Sequence, residues 1–150
     1  MHSNAIDSHL ATPLGFAIFF IGLWCTVCFL IGFITGWLSL SRRFRNQSEP
    51  YGETKAAGPF WYTVYMRFWT HYSSVIRLRA AADGLYASVL LPFRFGHPPL
   101  HIPWDEIQFS RTKRLWRPYV VLTLGRKERI PMRIPERMAR KLGILDRVPA

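Results

Sequence analysis

The chain has 150 residues, a formal charge of +11, and a composition that is 49% hydrophobic and 15% aromatic. That length holds one small domain, and both cysteines, Cys25 and Cys28, fall in an apolar run, which excludes a disulfide framework and a zinc site of paired Cys-x-x-Cys type. All twenty basic residues lie at or after Arg42 against eight of the nine acidic ones, so residues 42–150 carry +12 and are drawn toward polyanions, either nucleic acid or an acidic lipid surface.

Residues 1–12 form a short flank without Lys or Arg. From Leu10 to Ser41 there is no Asp, Glu, Lys, Arg or His, and positions 13–40 are apolar or small almost throughout. About 20 such residues cross the hydrocarbon core, so 13–40 reads as a retained transmembrane helix; its length and its unbasic N-terminal flank argue against a cleaved signal. Arg42, Arg43 and Arg45 follow the run and no basic residue precedes it. The positive-inside rule then places the N-terminus outside and the rest in the cytoplasm, at a bacterial inner (plasma) membrane. Trp37 falls where an indole sits at headgroup level, whereas Trp24 lies too deep for that role. Gly15, Gly22, Cys25, Gly32, Gly36 and Ser39 share one stripe of the helix, and Gly32 to Gly36 is a GxxxG spacing. Such a stripe fits a homodimer or a membrane-protein partner, as in an accessory subunit of a larger complex. Cys25 and Cys28, in lipid and without a basic neighbour, read as small apolar residues and not as a redox pair.

Residues 41–59 mix charge, Ser, Asn, Gly and Pro without periodicity and read as a juxtamembrane linker, which leaves 60–146 as the cytoplasmic domain. Its first segment, "FWYTVYMRFWTHY" at 60–72, is apolar on both faces and fits either a buried strand or an interfacial helix. Period-two alternation then takes over. Residues 75–80 and 85–91 form a hairpin around "AADG", 107–109 open another strand, "RTKRLWRP" reads as a polar connection, and "YVVLTL" at 119–124 as a buried strand. Residues 130–134 alternate as well, and Pro131 points to an edge strand. "PERMARKLGIL" carries an apolar stripe of Met138, Leu142 and Leu145, a C-terminal amphipathic helix ended by Gly143. The fold class is therefore mainly β, a small antiparallel sheet or partly open barrel with a C-terminal helix, plus one N-terminal transmembrane α-helix.

"DGLYASVLLPF", then "IPWDEI", then an alternating strand pair and a terminal helix, resembles the bacterial pleckstrin-homology-like domains attached to membrane spans. The block "GLYASVLLPFRFGHPPLHIPWDEI" is similar to one in small bacterial proteins of no assigned activity. The resemblance covers residues 74–142, implies a barrel of that type, and brings no functional residues with it.

No catalytic constellation is legible: no serine sits in a G-x-S-x-G elbow, no Gly-rich phosphate loop occurs, and nothing implies a cofactor. "FRFGHPPLHIPWDEI" at 93–107 is the densest in capable side chains. His97, His101 and Asp105 could be drawn as a three-ligand metal site of a small membrane-bound enzyme, but Pro98, Pro99 and Pro103 exclude a helix there. The simpler reading is a proline-stiffened crossover and recognition loop, in which Trp104 and Ile107 join the core. "RTKRLWRPY" interleaves base and aromatic, so Arg111, Lys113, Arg114, Trp116 and Arg117, with His97, His101 and Trp104, are the candidate binding residues. Tethering to a membrane favours anionic lipid headgroups over nucleic acid as their partner, since each nearby cation gains about 1 kcal/mol at an acidic leaflet. A protein partner for the same domain is the other binding reading.

Overall fold

The computed structural model describes residues 4–46, 48, 53–57, 63–67, 70–114 and 116–149, with backbone alone for 4–11 and Arg114. Helix α1, Asn4–Ile34, contains the stretch Thr12–Ile34, which is long and apolar enough to cross a membrane. Its apolar side chains point outward along most of that length, from Leu14 to Ile34.

The apolar run does not continue as one helix to residue 40. Gly36 adopts φ 83°, a left-handed conformation that breaks the helix, and a Cβ there would collide with the Ile130 side chain. A second helix, α2 (Trp37–Phe44), turns into the domain and buries Trp37, Leu40 and Phe44, one side of an amphipathic helix. Trp37 is 1% exposed and its indole N–H donates to the Pro98 carbonyl at 2.8 Å. It is a core residue of the domain and not a headgroup anchor.

Among the described residues nine strands follow: β1 (Lys55–Ala57), β2 (Thr63–Met66), β3 (Thr70–Ser73), β4 (Ile76–Ala80), β5 (Gly84–Val89), β6 (Leu100–Pro103), β7 (Ile107–Arg114), β8 (Arg117–Leu124) and β9 (Ile130–Pro135). They form two antiparallel sheets, β1-β4-β5-β6 and β3-β2-β9-β8-β7. Alternation makes this possible: Ile76, Leu78 and Ala80 face inward while Arg77 and Arg79 face out, and β8 and β9 do the same with Val120, Leu122, Leu124 and Ile130, Met132, Ile134. All these inward residues meet in one core shared by both sheets and α2. Truncating one of them, for instance Leu122→Ala, removes roughly 2–5 kcal/mol. Helix α3 (Glu136–Lys141) covers the core with Met138 and Ala139, and Gly143 at φ 66° ends it.

Several sequence expectations change here. Part of the linker is ordered structure, since α2 runs to Phe44 and β1 pairs with β4. Of 60–72, residues 63–66 and 70–72 lie in strands, β2 and β3, and Arg67 stands in a tight turn after β2; residues 60–62 and 68–69 lie outside the described residues. "RTKRLWRP" is not a connection: β7 and β8 pair right up to Arg114↔Arg117. Pro131 lies in an interior strand, because β9 sits between β2 and β8. It is tolerated since the register Tyr65↔Arg133 sets it opposite residue 67, where β2 has already ended at Met66.

Candidate functional site

The segment between β5 and β6 does not cross freely from strand to strand. It lies along α1. The Trp24 indole N–H donates to the Pro92 carbonyl at 2.8 Å, and its ring stands 5.2 Å from that of Phe93. Farther down, the Gly96 backbone presses on Gly32, where a Cβ would collide with the Gly96 carbonyl. Gly96 itself has φ 74°, and a Cβ on it would come within 2.7 Å of Phe29 Cα. Glycine on both sides is what lets the two backbones meet. Trp37 then holds Pro98, Asn46 donates its N–H to the Pro99 carbonyl at 3.0 Å, and Arg45 bridges Leu100. Thus Gly32 and Gly36 contact the chain's own domain, whereas a Cβ on Gly15 or Gly22 would meet nothing within 4 Å among the described residues.

Where helix, loop and β3 converge, a buried polar chain runs from Thr35 through Tyr72 to His97. Thr35 Oγ1 is 3.0 Å from Tyr72 Oη, which is 2.8 Å from His97 Nε2, while His97 Nδ1 lies 3.1 Å from the Phe95 carbonyl. A carbonyl only accepts, so Nδ1 carries the proton and Nε2 accepts from the tyrosine hydroxyl. Thr35 then divides its single proton between Tyr72 and the Ile31 carbonyl at 2.9 Å. Burial pushes the Tyr72 hydroxyl up to about 12, and burial likewise holds His97 below the usual histidine value despite the Phe95 carbonyl. Both groups are therefore neutral, saturated and enclosed, a fastening between helix and domain. Beside them an apolar cleft of 290 Å³ opens between Cys28 and Ile31 of α1 and Tyr72, Val75 and Phe93.

On the outer face of the first sheet lies a basic pocket of 360 Å³. Arg77 and Arg79 of β4, Tyr86 and Ser88 of β5, Arg94 of the loop, and Asn46 and Ser48 line it, and among the described residues none of its walls is acidic. Strand alternation turns the two β4 arginines outward, and the loop docked on α1 carries Arg94 to join them. The arginines toward Glu106 are different. Arg43 bonds the Glu106 carboxylate at 2.6 Å, and the Arg126 backbone N–H donates to its other oxygen at 2.9 Å. That N–H, more than the neighbouring guanidinium groups, holds the Glu106 carboxyl below the usual range.

The residues singled out from sequence do not converge on one site. His97 is in the buried chain described above. His101 stacks on Tyr86 at 4.3 Å, with Nε2 3.2 Å from Asp83 Oδ2, and Asp105 lies 3.7 Å from Arg126. These three have separate neighbours, and among the described residues no group of three His, Cys, Asp or Glu side chains is placed to hold a metal ion. Trp104 donates to the Ala81 carbonyl at 2.9 Å and carries the Arg147 guanidinium 4.5 Å over its ring. Arg111, Lys113 and Arg117 are exposed near the β7–β8 tip, where Trp116 is 100% exposed; the Arg114 side chain lies outside the described residues. Seven residue steps along the strand, about 23 Å, separate that tip from the Ile107↔Leu124 end.

No known family matches this chain. The comparisons with family models, curated proteins and solved structures all found nothing similar. The site is read from its own chemistry alone. Sequence reasoning passed over Arg77, Arg79 and Arg94. The outward pair was visible in the alternation, but nothing in the sequence brought Arg94 to it.

Proposed function

We propose that this chain is a single-pass membrane protein whose basic β domain, of pleckstrin-homology-like type, holds anionic lipid headgroups in the pocket of Arg77, Arg79 and Arg94. The observation that carries the reading is placement: a pocket lined by Arg77, Arg79 and Arg94 shares its loop with the docking surface of a helix long and apolar enough to span a membrane. Headgroup phosphates lie at that boundary, and guanidinium groups suit them. The run of Arg42, Arg43 and Arg45 after the span supports an outside N-terminus and a cytoplasmic domain at a bacterial inner membrane.

The test uses the full chain in mixed micelles of phosphatidylglycerol or phosphatidylcholine. Each pocket arginine near anionic lipid contributes about 1 kcal/mol, so Arg77→Gln and Arg94→Gln each weaken phosphatidylglycerol binding roughly fivefold, with phosphatidylcholine unaffected. Unchanged binding in the double variant, with loss on Arg111→Gln and Lys113→Gln, would move the site to the hairpin tip.

A further inference from the structure

We infer that loop 90–97 is itself a membrane-embedded element, whose tip of Leu91, Phe93 and Phe95 enters the hydrocarbon of the domain-side leaflet beside α1. The inference rests on α1 being a span, as proposed above. Three observations meet in this loop.

Exposure comes first. Leu91 is 73% exposed, Phe95 55% and Phe93 36%. Among the described residues, every other large apolar side chain left this open belongs to α1, except Trp116. An apolar tip continuous with a lipid-facing helix has hydrocarbon as its matching solvent.

Depth comes second. Trp24, which holds Pro92, stands ten residues before Ile34, about 15 Å along the helix and close to half the thickness of a bilayer core. A span placed across the membrane on 12–34 takes the loop in with it.

The third observation is the backbone. Irregular chain at membrane depth needs its polar groups satisfied internally. Part of the loop's backbone is served in this way: the carbonyls of Leu90 and Leu91 accept from the Phe93 N–H, that of Pro92 from Trp24, that of Arg94 from the His97 N–H, and that of Phe95 from His97 Nδ1, while the Leu90 N–H donates to the Val75 carbonyl. Pro92 has no N–H to satisfy. Arg94, the one charge in the loop, lines the basic pocket with Asn46 and Ser48, where its long stem lets the guanidinium reach headgroups while its neighbours stay in the apolar layer.

The experiment places a single cysteine in the full chain, in a Cys25→Ala, Cys28→Ala background, at Leu91→Cys, Phe95→Cys, Phe20→Cys or Trp116→Cys. Each is labelled with an NBD fluorophore and reconstituted in phosphatidylcholine–phosphatidylglycerol vesicles. Probes at 91 and 95 are expected to lose as much fluorescence to doxyl-labelled lipid as the probe at 20 and to resist aqueous iodide, with the opposite pattern at 116. Iodide quenching at 91 and 95, with lipid quenching retained at 20, overturns the inserted loop and leaves the span intact. Shielding of 91 and 95 from both quenchers also overturns it, because the tip is then covered by protein. Iodide quenching at 20 removes the span itself, and the loop proposal with it.

Discussion

His97 is a histidine whose two ring nitrogens are both spoken for inside the protein, and that fixes what it does. Neutral imidazole is the form that bonds Tyr72 and the Phe95 carbonyl, and protonation would set Nε2–H against the tyrosine hydroxyl in a buried place. Its folded value lies below that of the unfolded chain, so below about pH 6.5 the unfolded state binds the extra proton first. The contribution to stability is complete above that pH and is lost as the pH falls through the folded value. Thermal unfolding of the detergent-solubilised chain is therefore expected to weaken between pH 7 and 5.5, and His97→Gln, which keeps a donor and an acceptor, flattens that slope. Tyr72→Phe tests the same contact from its other end. It leaves Nε2 buried without a partner, at a cost of about 1–3 kcal/mol read from the melting temperature at pH 7.5.

At the scale of elements, the joint between α1 and loop 90–97 depends on glycines that serve different purposes. Gly96→Ala forces a Cβ into a left-handed backbone and against Phe29, with an expected loss of roughly 1–3 kcal/mol, seen as earlier proteolysis of the loop and a lower melting temperature. A Cβ on Gly22 meets nothing within 4 Å among the described residues, so Gly22→Ala is expected to leave the melt unchanged. It is the clean probe for helix pairing, whereas Gly32→Leu would break the domain joint first. The sequence made some of this legible and hid the rest for physical reasons. β4, β5, β8 and β9 were readable because one face of each is core, so polarity alternates along them. The outer ends of β7 and β8 run past the core into solvent, where Arg111, Lys113 and Arg117 produce no apolar signal. Pro103 concealed β6, and a uniformly apolar run concealed the break at Gly36 and the buried side of α2. The pocket of Arg77, Arg79 and Arg94 required a loop to be folded back onto a helix, a contact that no local pattern encodes.

For the whole molecule, the consequence is a shifted boundary between the long apolar helix and the domain. A division after residue 40 looks natural in the sequence, since charge begins at Arg42. It would cut through the core, because Trp37 and Leu40 are among its most buried side chains. Losing them costs about 3–5 and 2–5 kcal/mol respectively, judged from large-to-alanine substitutions. That total is comparable to the roughly 5–15 kcal/mol by which a domain of this size is stable. A chain beginning at Ser41 is therefore expected to show no cooperative unfolding transition and rapid amide exchange throughout β8 and β9. A chain beginning at Thr35 retains Trp37, its bond to Pro98, and the Thr35 hydroxyl beside Tyr72. It is expected to unfold cooperatively, although with Phe93 and Gly96 uncovered where α1 had been. Cooperative melting of both chains would show that α2 is dispensable to the core; folding of neither would show that α1 itself is part of the domain.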